Sequence, residues 1–336
     1  MFEDESTILS NDHCFLCGQQ LDSSSRSVEH VFPKWLLHDA KLWDKSAYLL
    51  NASLLPYRQC TIPCCVSCNS GPLSVLEDEV QRAFGDGVGG VRRLIPARLS
   101  LWMGKIYYGV LRRCNSLPAD RSSPVSSAVI PIKAMRSLST LHKFLQRIRL
   151  GHSCAFDPDS TFVYRVHKYG EPARNFDWLG ATVIGRPGKE RFVPAIAIRH
   201  NGVGVISLFG DGGLQKEFQR AIFDDFAEVQ LHPIQFCEIA SRLFYGHSLF
   251  ADQIGYSFVY ATNGPFVATP HFPPEGKCWN DWEDEEYAMH FFRQLKERST
   301  PGIISLSDVY CGNNSVITFL YQPDGTKRVA TANELS

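Results

Sequence analysis

Cys14-Phe15-Leu16-Cys17, Glu29-His30-Val31-Phe32-Pro33 and Cys65-Val66-Ser67-Cys68-Asn69 are the stretches whose reading decides the fold of the N-terminal region. A two-residue spacer lets both sulfurs of a Cys-x-x-Cys pair face one ion, and two such pairs complete the tetrahedral thiolate shell that Zn²⁺ prefers. Cys14, Cys17, Cys65 and Cys68 are therefore the expected ligands of a structural zinc. Cys60 and Cys64 lie close by, but only Cys65 keeps the two-residue spacer to Cys68. His13 adjoins Cys14 and could replace a thiolate, yet four cysteines already complete the shell. The bland alternative is a set of plain buried thiols, which two matched pairs argue against. The polar Glu29-His30 step is not needed by the zinc and is left for chemistry.

Size and composition bound the rest. At 336 residues, with 44% apolar and 21% charged side chains, the chain has ordinary globular composition and length for two or three domains. The acidic start, Met1-Phe2-Glu3-Asp4-Glu5-Ser6, has no basic and apolar leader, and no run approaches the ~20 apolar residues of a membrane span. Cysteines outside the cluster (Cys114, Cys154, Cys237, Cys278, Cys311) are isolated, as reduced thiols are. A cytoplasmic protein with no membrane partner is expected.

Three segments are expected: residues 1–84 as the cysteine-rich module, 85–150 as a Gly-rich hinge with basic helices, and 151–336 as a mixed α+β domain. Gly85-Asp86-Gly87-Val88-Gly89-Gly90 reads as a helix breaker. Leu99, Trp102, Ile106, Val110 and Leu111 recur at helical spacing, which predicts an amphipathic helix over 96–113 with Arg98, Lys105, Arg112 and Arg113 off its apolar stripe. A second basic helix is predicted over 138–150, with a Ser/Pro loop at 117–127 between them. Beyond 153 short strands are predicted at 161–166, 182–185, 192–199 and 204–209, the last two joined by a hairpin turn at Asn201-Gly202. Helices are expected over 215–226 and 233–245, strands over 256–261 and 315–321, and a last helix capped by Asn280 with Glu283. Gly210 to Gly213 lacks the Lys-Ser/Thr of a phosphate loop and reads as a hairpin-to-helix turn.

Cys14-x-x-Cys17, Glu29-His30 and Cys65-x-x-Cys68-Asn69 together resemble the HNH (ββα-metal, treble-clef) endonuclease superfamily, in its four-cysteine zinc branch, over residues 13–84. The resemblance implies an N-terminal zinc-stapled ββα-metal module. It also implies that His30 is the general base and that Glu29 and Asn69 hold a catalytic Mg²⁺ or Mn²⁺. The family's middle asparagine falls on Cys60, so Asn51 takes that place only across an insertion. Glu77 is a further ligand candidate, or an acid on a solvated helix face. Independently, phosphodiester hydrolysis needs a neutral imidazole and a hard cation on oxygen ligands.

Net charge is −1, but between Arg82 and Arg149 thirteen basic residues face two acidic ones. Such a stretch attracts polyanions. Arg92, Arg93, Arg98, Lys105, Arg112 and Arg113 are the expected phosphate contacts. No base-reading motif is present. The expectation is a metal-dependent endonuclease acting on double-stranded DNA, its C-terminal domain targeting or regulating it. The resemblance implies a setting in bacterial restriction or phage defence, with that system's proteins as partners. The rivals are a catalytically inactive zinc-stapled nucleic-acid-binding or adaptor protein and an RNA-cleaving enzyme.

Overall fold

The computed structural model describes residues 10–49, 53–115, 132–150, 158–185, 191–250, 254–260, 266–272, 280–296, 307, 309–310 and 316–329. The chain is a mixed α+β protein in two compact units, Met1–Asp157 with Tyr256–Thr269, and Pro158–Gly255 with Pro270–Ser336. No helix among the described residues is long and apolar enough to cross a membrane. The predicted loop at 117–127 and Asn51 lie outside the described residues.

In the first unit β1 (Arg26–His30) pairs antiparallel with a strand reached through α1 (Lys34–Asp39), the short pair β2 (Ser46–Tyr48) and β3 (Leu54–Pro56), and a 3-10 turn. That strand, β4 (Thr61–Cys65), sets Glu29 opposite Ile62 and Arg26 opposite Cys65. Pro63 is tolerated because the sheet has only two strands. A helical turn, Val66–Cys68, and a wide turn, Asn69–Leu73, lead into α2 (Ser74–Gly85).

The Gly-rich stretch is not a hinge and does not bound a unit. Only Gly87 takes a positive φ, +72°, and α3 (Gly87–Arg93) starts there. A Cβ on Gly90 would lie 2.3 Å from the Ala83 carbonyl oxygen, so this glycine permits close approach of α3 to α2. Of the four glycines in this stretch, Gly87 starts the helix and Gly90 serves packing.

A second correction concerns α4 (Pro96–Asn115). Its apolar stripe is as predicted, but the helix is buried almost all round, Lys105 and Arg112 included. It lies beneath β4 and α2 and beside α5 (Ile132–Leu150), which begins six residues before the predicted helix. Trp102 meets Trp35 at 6.2 Å and Phe84 at 5.6 Å between ring centroids. The hairpin Gly255–Tyr260 with Phe266–His271 returns to this unit, where Tyr256 and Phe258 pack edge-on against Phe144.

The second unit is built on a five-stranded sheet. Its strands are β5 (Ser160–Val166), β6 (Phe176–Ile184), β7 (Arg191–His200), β8 (Val203–Leu208) and β9 (Gln230–Leu231), ordered β6-β7-β8-β5-β9. All pairs are antiparallel except β5 with β9. Asn201 and Gly202, at φ 48° and 88°, make the expected β7–β8 turn. The predicted helix over 215–226 is broken at Gln219 into α6 (Leu214–Phe218) and α7 (Arg220–Phe226). The buried Asp211 carboxylate anchors the preceding turn, accepting from the backbone N–H groups of Ser160, Gly213 and Gln215. α8 (Pro233–Ser248) packs on the sheet, and α9 (Asp284–Lys296) packs on α8. Asn280 does not cap α9; its amide groups bond the Leu249 carbonyl.

The predicted strand over 315–321 does not join the sheet. Buried side chains of α8 capture its backbone: Gln235 donates to the Phe319 carbonyl, and Glu238 accepts from Phe319 N–H at 2.6 Å and Thr318 Oγ1 at 2.6 Å. Side-chain partners satisfy the groups that a ladder would otherwise take.

Burial also sets an acid limit on this unit. It pushes the His200 and His247 imidazoles down to about 4, while Asp211 is pushed up to about 6. Between pH 6.5 and 4 the two histidines bind protons only when unfolded, so stability falls with pH; Asp211 works in the opposite direction and offsets part of it. The net loss from these groups is on the order of 4 kcal/mol. Urea unfolding should show the decline through this window, and His247→Phe should flatten it.

Candidate functional site

The two cysteine pairs meet where the N-terminal knuckle folds onto β4. Phe15 N–H bonds the Pro63 carbonyl at 2.9 Å, and Gly18, at φ 75°, turns the first pair back so that its N–H meets the Cys14 carbonyl. The sulfurs of Cys14, Cys17, Cys65 and Cys68 all lie within 4.8 Å of one another, so the four thiols could hold a metal ion such as zinc. Cys17 and Cys65 are 3.7 Å apart, and a tetrahedron with Zn–S bonds of ~2.3 Å has edges of about 3.8 Å. Backbone N–H groups of Gln19 and Cys68 point to Cys17 and Cys65 sulfur, an arrangement that favours thiolates. Hydrogen bonds among the thiols push Cys14 well below the ordinary range and Cys17 up to about 11, as expected of groups competing for one site.

By sulfur position the second pair is Cys65 with Cys68. Cys64 is not one of the four, although its sulfur sits 3.8 Å from Cys14. His13 bonds Ser10 Oγ and is not among the clustered ligands.

Helices support the knuckle from behind. His142 bonds the Phe15 carbonyl at 2.8 Å, Gln146 donates to the Leu16 carbonyl at 2.6 Å, and Arg112 donates to the carbonyls of Ser10 and His13. Arg112, expected on a phosphate-binding face, is therefore structural.

Beside this centre lies a cleft of about 340 Å³, lined by β1, α1, the Asn69 turn and α2. It brings together Glu29, His30, Asn69 and Glu77, which the chain supplies from two stretches about forty residues apart. Asn69 Nδ2 donates to Ser27 Oγ at 2.7 Å and the Val28 carbonyl at 3.0 Å. Its Oδ1 has no hydrogen-bond partner among the described residues.

Glu29 and Glu77 share the Lys105 ammonium, which is fully buried and also donates to the His30 carbonyl at 2.9 Å. The Lys105–Glu77 distance is 2.6 Å. Burial opposes the ammonium charge, but the two carboxylates together hold Lys105 above the ordinary lysine range. Burial raises Glu77, and Lys105 counters it. Two acidic side chains thus meet one ammonium at the floor of the cleft. Lys105, like Arg112, is thus no surface phosphate contact. Removing one member of a buried ionic network costs about 3–5 kcal/mol. Lys105→Met should lower unfolding stability by that amount, and adding Glu77→Gln should cost less than the sum of the single changes.

His30 is held on two sides. Its ring stacks on Trp43 at 5.7 Å, and Trp43 stacks in turn on His38 at 4.7 Å. The Arg58 backbone lies close enough to raise the proton affinity of the imidazole a little. Desolvation, then the charges of Lys34 and Lys105, lower its proton affinity, so the ring is neutral at pH 7. Trp43 and Arg58 escaped the sequence reading because a supporting ring and a neighbouring backbone leave no motif.

The remaining basic residues differ in exposure and partners. Arg98 pairs with Glu79 at 2.7 Å, Arg93 with Asp86 at 2.9 Å, and Arg113 is half-buried. Arg92 is exposed at the end of α3. Lys34, which sequence reasoning missed, lines the cleft instead. No family model, curated protein or solved structure matches this chain.

Proposed function

We propose that the N-terminal unit is an HNH endonuclease that hydrolyses DNA phosphodiester bonds with the help of a divalent cation. The observation that carries this reading is the convergence of Glu29, His30 and Asn69 on one cleft beside four clustered thiols. Zn²⁺ suits the thiols, whereas Mg²⁺ or Mn²⁺ suits the carboxylate of Glu29 and the free amide oxygen of Asn69, with Glu77 close by. A hard cation bound there stabilises negative charge on the phosphoryl oxygen and the leaving group.

His30 takes a proton from the attacking water. A neutral imidazole carries one N–H and leaves its other nitrogen as the acceptor that a base requires. Trp43 fixes the ring plane. Lys105 ties the side chains of Glu29 and Glu77 together.

Purified protein incubated with supercoiled plasmid and Mg²⁺ or Mn²⁺ should give nicked or linear product, and EDTA should stop it. RNA cut while plasmid stays intact moves the substrate to RNA. Neither cut, with duplex still bound, overturns the enzyme and leaves a binding or adaptor protein.

A further inference from the structure

Lys34 stands apart from every other cation near the cleft. It is the only basic side chain besides His30 among the residues lining that space. It is exposed, and it makes no ion pair or hydrogen bond among the described residues. The rest of α1 is pinned: Leu36 and Leu37 are buried, and the Trp35 ring lies against Trp102 and Phe84. The short helix therefore presents Lys34 from a fixed base.

The electrostatics of the cleft give this lysine a task. Glu29 and Glu77 outnumber Lys105, and Asp78 adds a further acid to the lining. A phosphodiester approaching that wall faces acidic side chains, and Lys105, buried and paired with two of them, offers it no free charge. The phosphates flanking the scissile bond need a partner of their own. Lys105 and Arg112 are buried, and Arg93 and Arg98 are paired with Asp86 and Glu79.

We infer that Lys34 is the phosphate contact of the cleft, binding the backbone of a duplex substrate beside the bond that His30 acts upon. This rests on the nuclease reading for its substrate, and on the lining, exposure and lack of a partner for its assignment.

The test separates binding from cleavage. In a His30→Ala background with Ca²⁺, anisotropy of a fluorescein-labelled duplex is measured over a range of KCl concentrations. Lys34→Ala should weaken binding about fivefold at 0.15 M salt and lower the slope of log K against log salt by about 0.9, the value of one phosphate on duplex DNA. Lys34→Arg should retain both, and Lys34→Glu should lose more than Lys34→Ala. With His30 intact, Lys34→Ala should raise KM with little change in kcat. Metal content and urea midpoint check that each variant folds.

An unchanged salt slope in Lys34→Ala overturns the inference, as does a wild-type protein that binds no duplex. Binding that depends on Lys34 without any cleavage sinks the nuclease reading and leaves the contact standing. Cleavage with an unchanged slope does the reverse.

Discussion

Cys68→Ser, or Cys17→Ser, should release the thiolate-bound ion and unfold the N-terminal unit. Structural zinc in small thiolate sites supplies about 10–16 kcal/mol of folding free energy, and whole domains are stable by only about 5–15 kcal/mol. The geometry makes the dependence direct. The first knuckle is tied to β4 by the Phe15–Pro63 bond and to the helices by carbonyl contacts from Arg112, His142 and Gln146. β1 and β4 form a sheet of only two strands, which is marginal without support. Without an ion, four clustered thiols must protonate or repel one another. Elemental analysis should find one zinc per wild-type chain and none in either variant. Hydrogen exchange should lose protection over 26–30 and 61–65, while 191–208 in the second unit keeps its own. Cys64→Ser should retain the metal, since Cys64 lies outside the four-thiol group. Loss of zinc from Cys64→Ser, with Cys65→Ser unaffected, would reverse the ligand assignment.

The cysteine pairs were legible because ligand spacing is a local property: two residues between thiols define a knuckle whatever the rest of the chain does. Glu29, His30 and Asn69 were legible as a set only through resemblance, and the cleft that collects them depends on the β1–β4 register. Charge was the part that composition misread. Lys105 finds its partners 76 residues upstream at Glu29 and 28 upstream at Glu77, so a helix with cations off its apolar stripe is buried instead of exposed. No window of helical length contains that information. Lys34 was overlooked for the opposite reason: a single lysine is unremarkable until its neighbours are known to be acidic. In the second unit Asn201-Gly202 announced its turn because positive φ selects for those residues. The segment 316–321 had strand-like composition, but Gln235 and Glu238 met its backbone first.

His30→Ala should lower kcat by about 10²–10⁴-fold, the range for removing a positioned general base, without releasing zinc or weakening duplex binding. Two supports make the imidazole worth that much. The Trp43 ring stacks on the imidazole and restricts its rotation, and the Arg58 backbone lies beside it. A neutral ring is required, and the same desolvation and lysine charges that lower its proton affinity keep it neutral at pH 7. The change should be well tolerated structurally, because the ring is half-buried and the Lys105 bond in this residue is to its backbone carbonyl, which alanine keeps. Single-turnover cleavage of plasmid, with zinc content and urea midpoint measured alongside, checks the effect. Trp43→Leu should give a smaller loss in the same step, since it loosens the base without removing it, and Trp43→Phe should recover most of it. A His30→Ala protein that nicks plasmid at the wild-type rate would place the base elsewhere. In that case Glu29 and Asn69 could still hold a cation, but the stack of His30, Trp43 and His38 would have no part in hydrolysis.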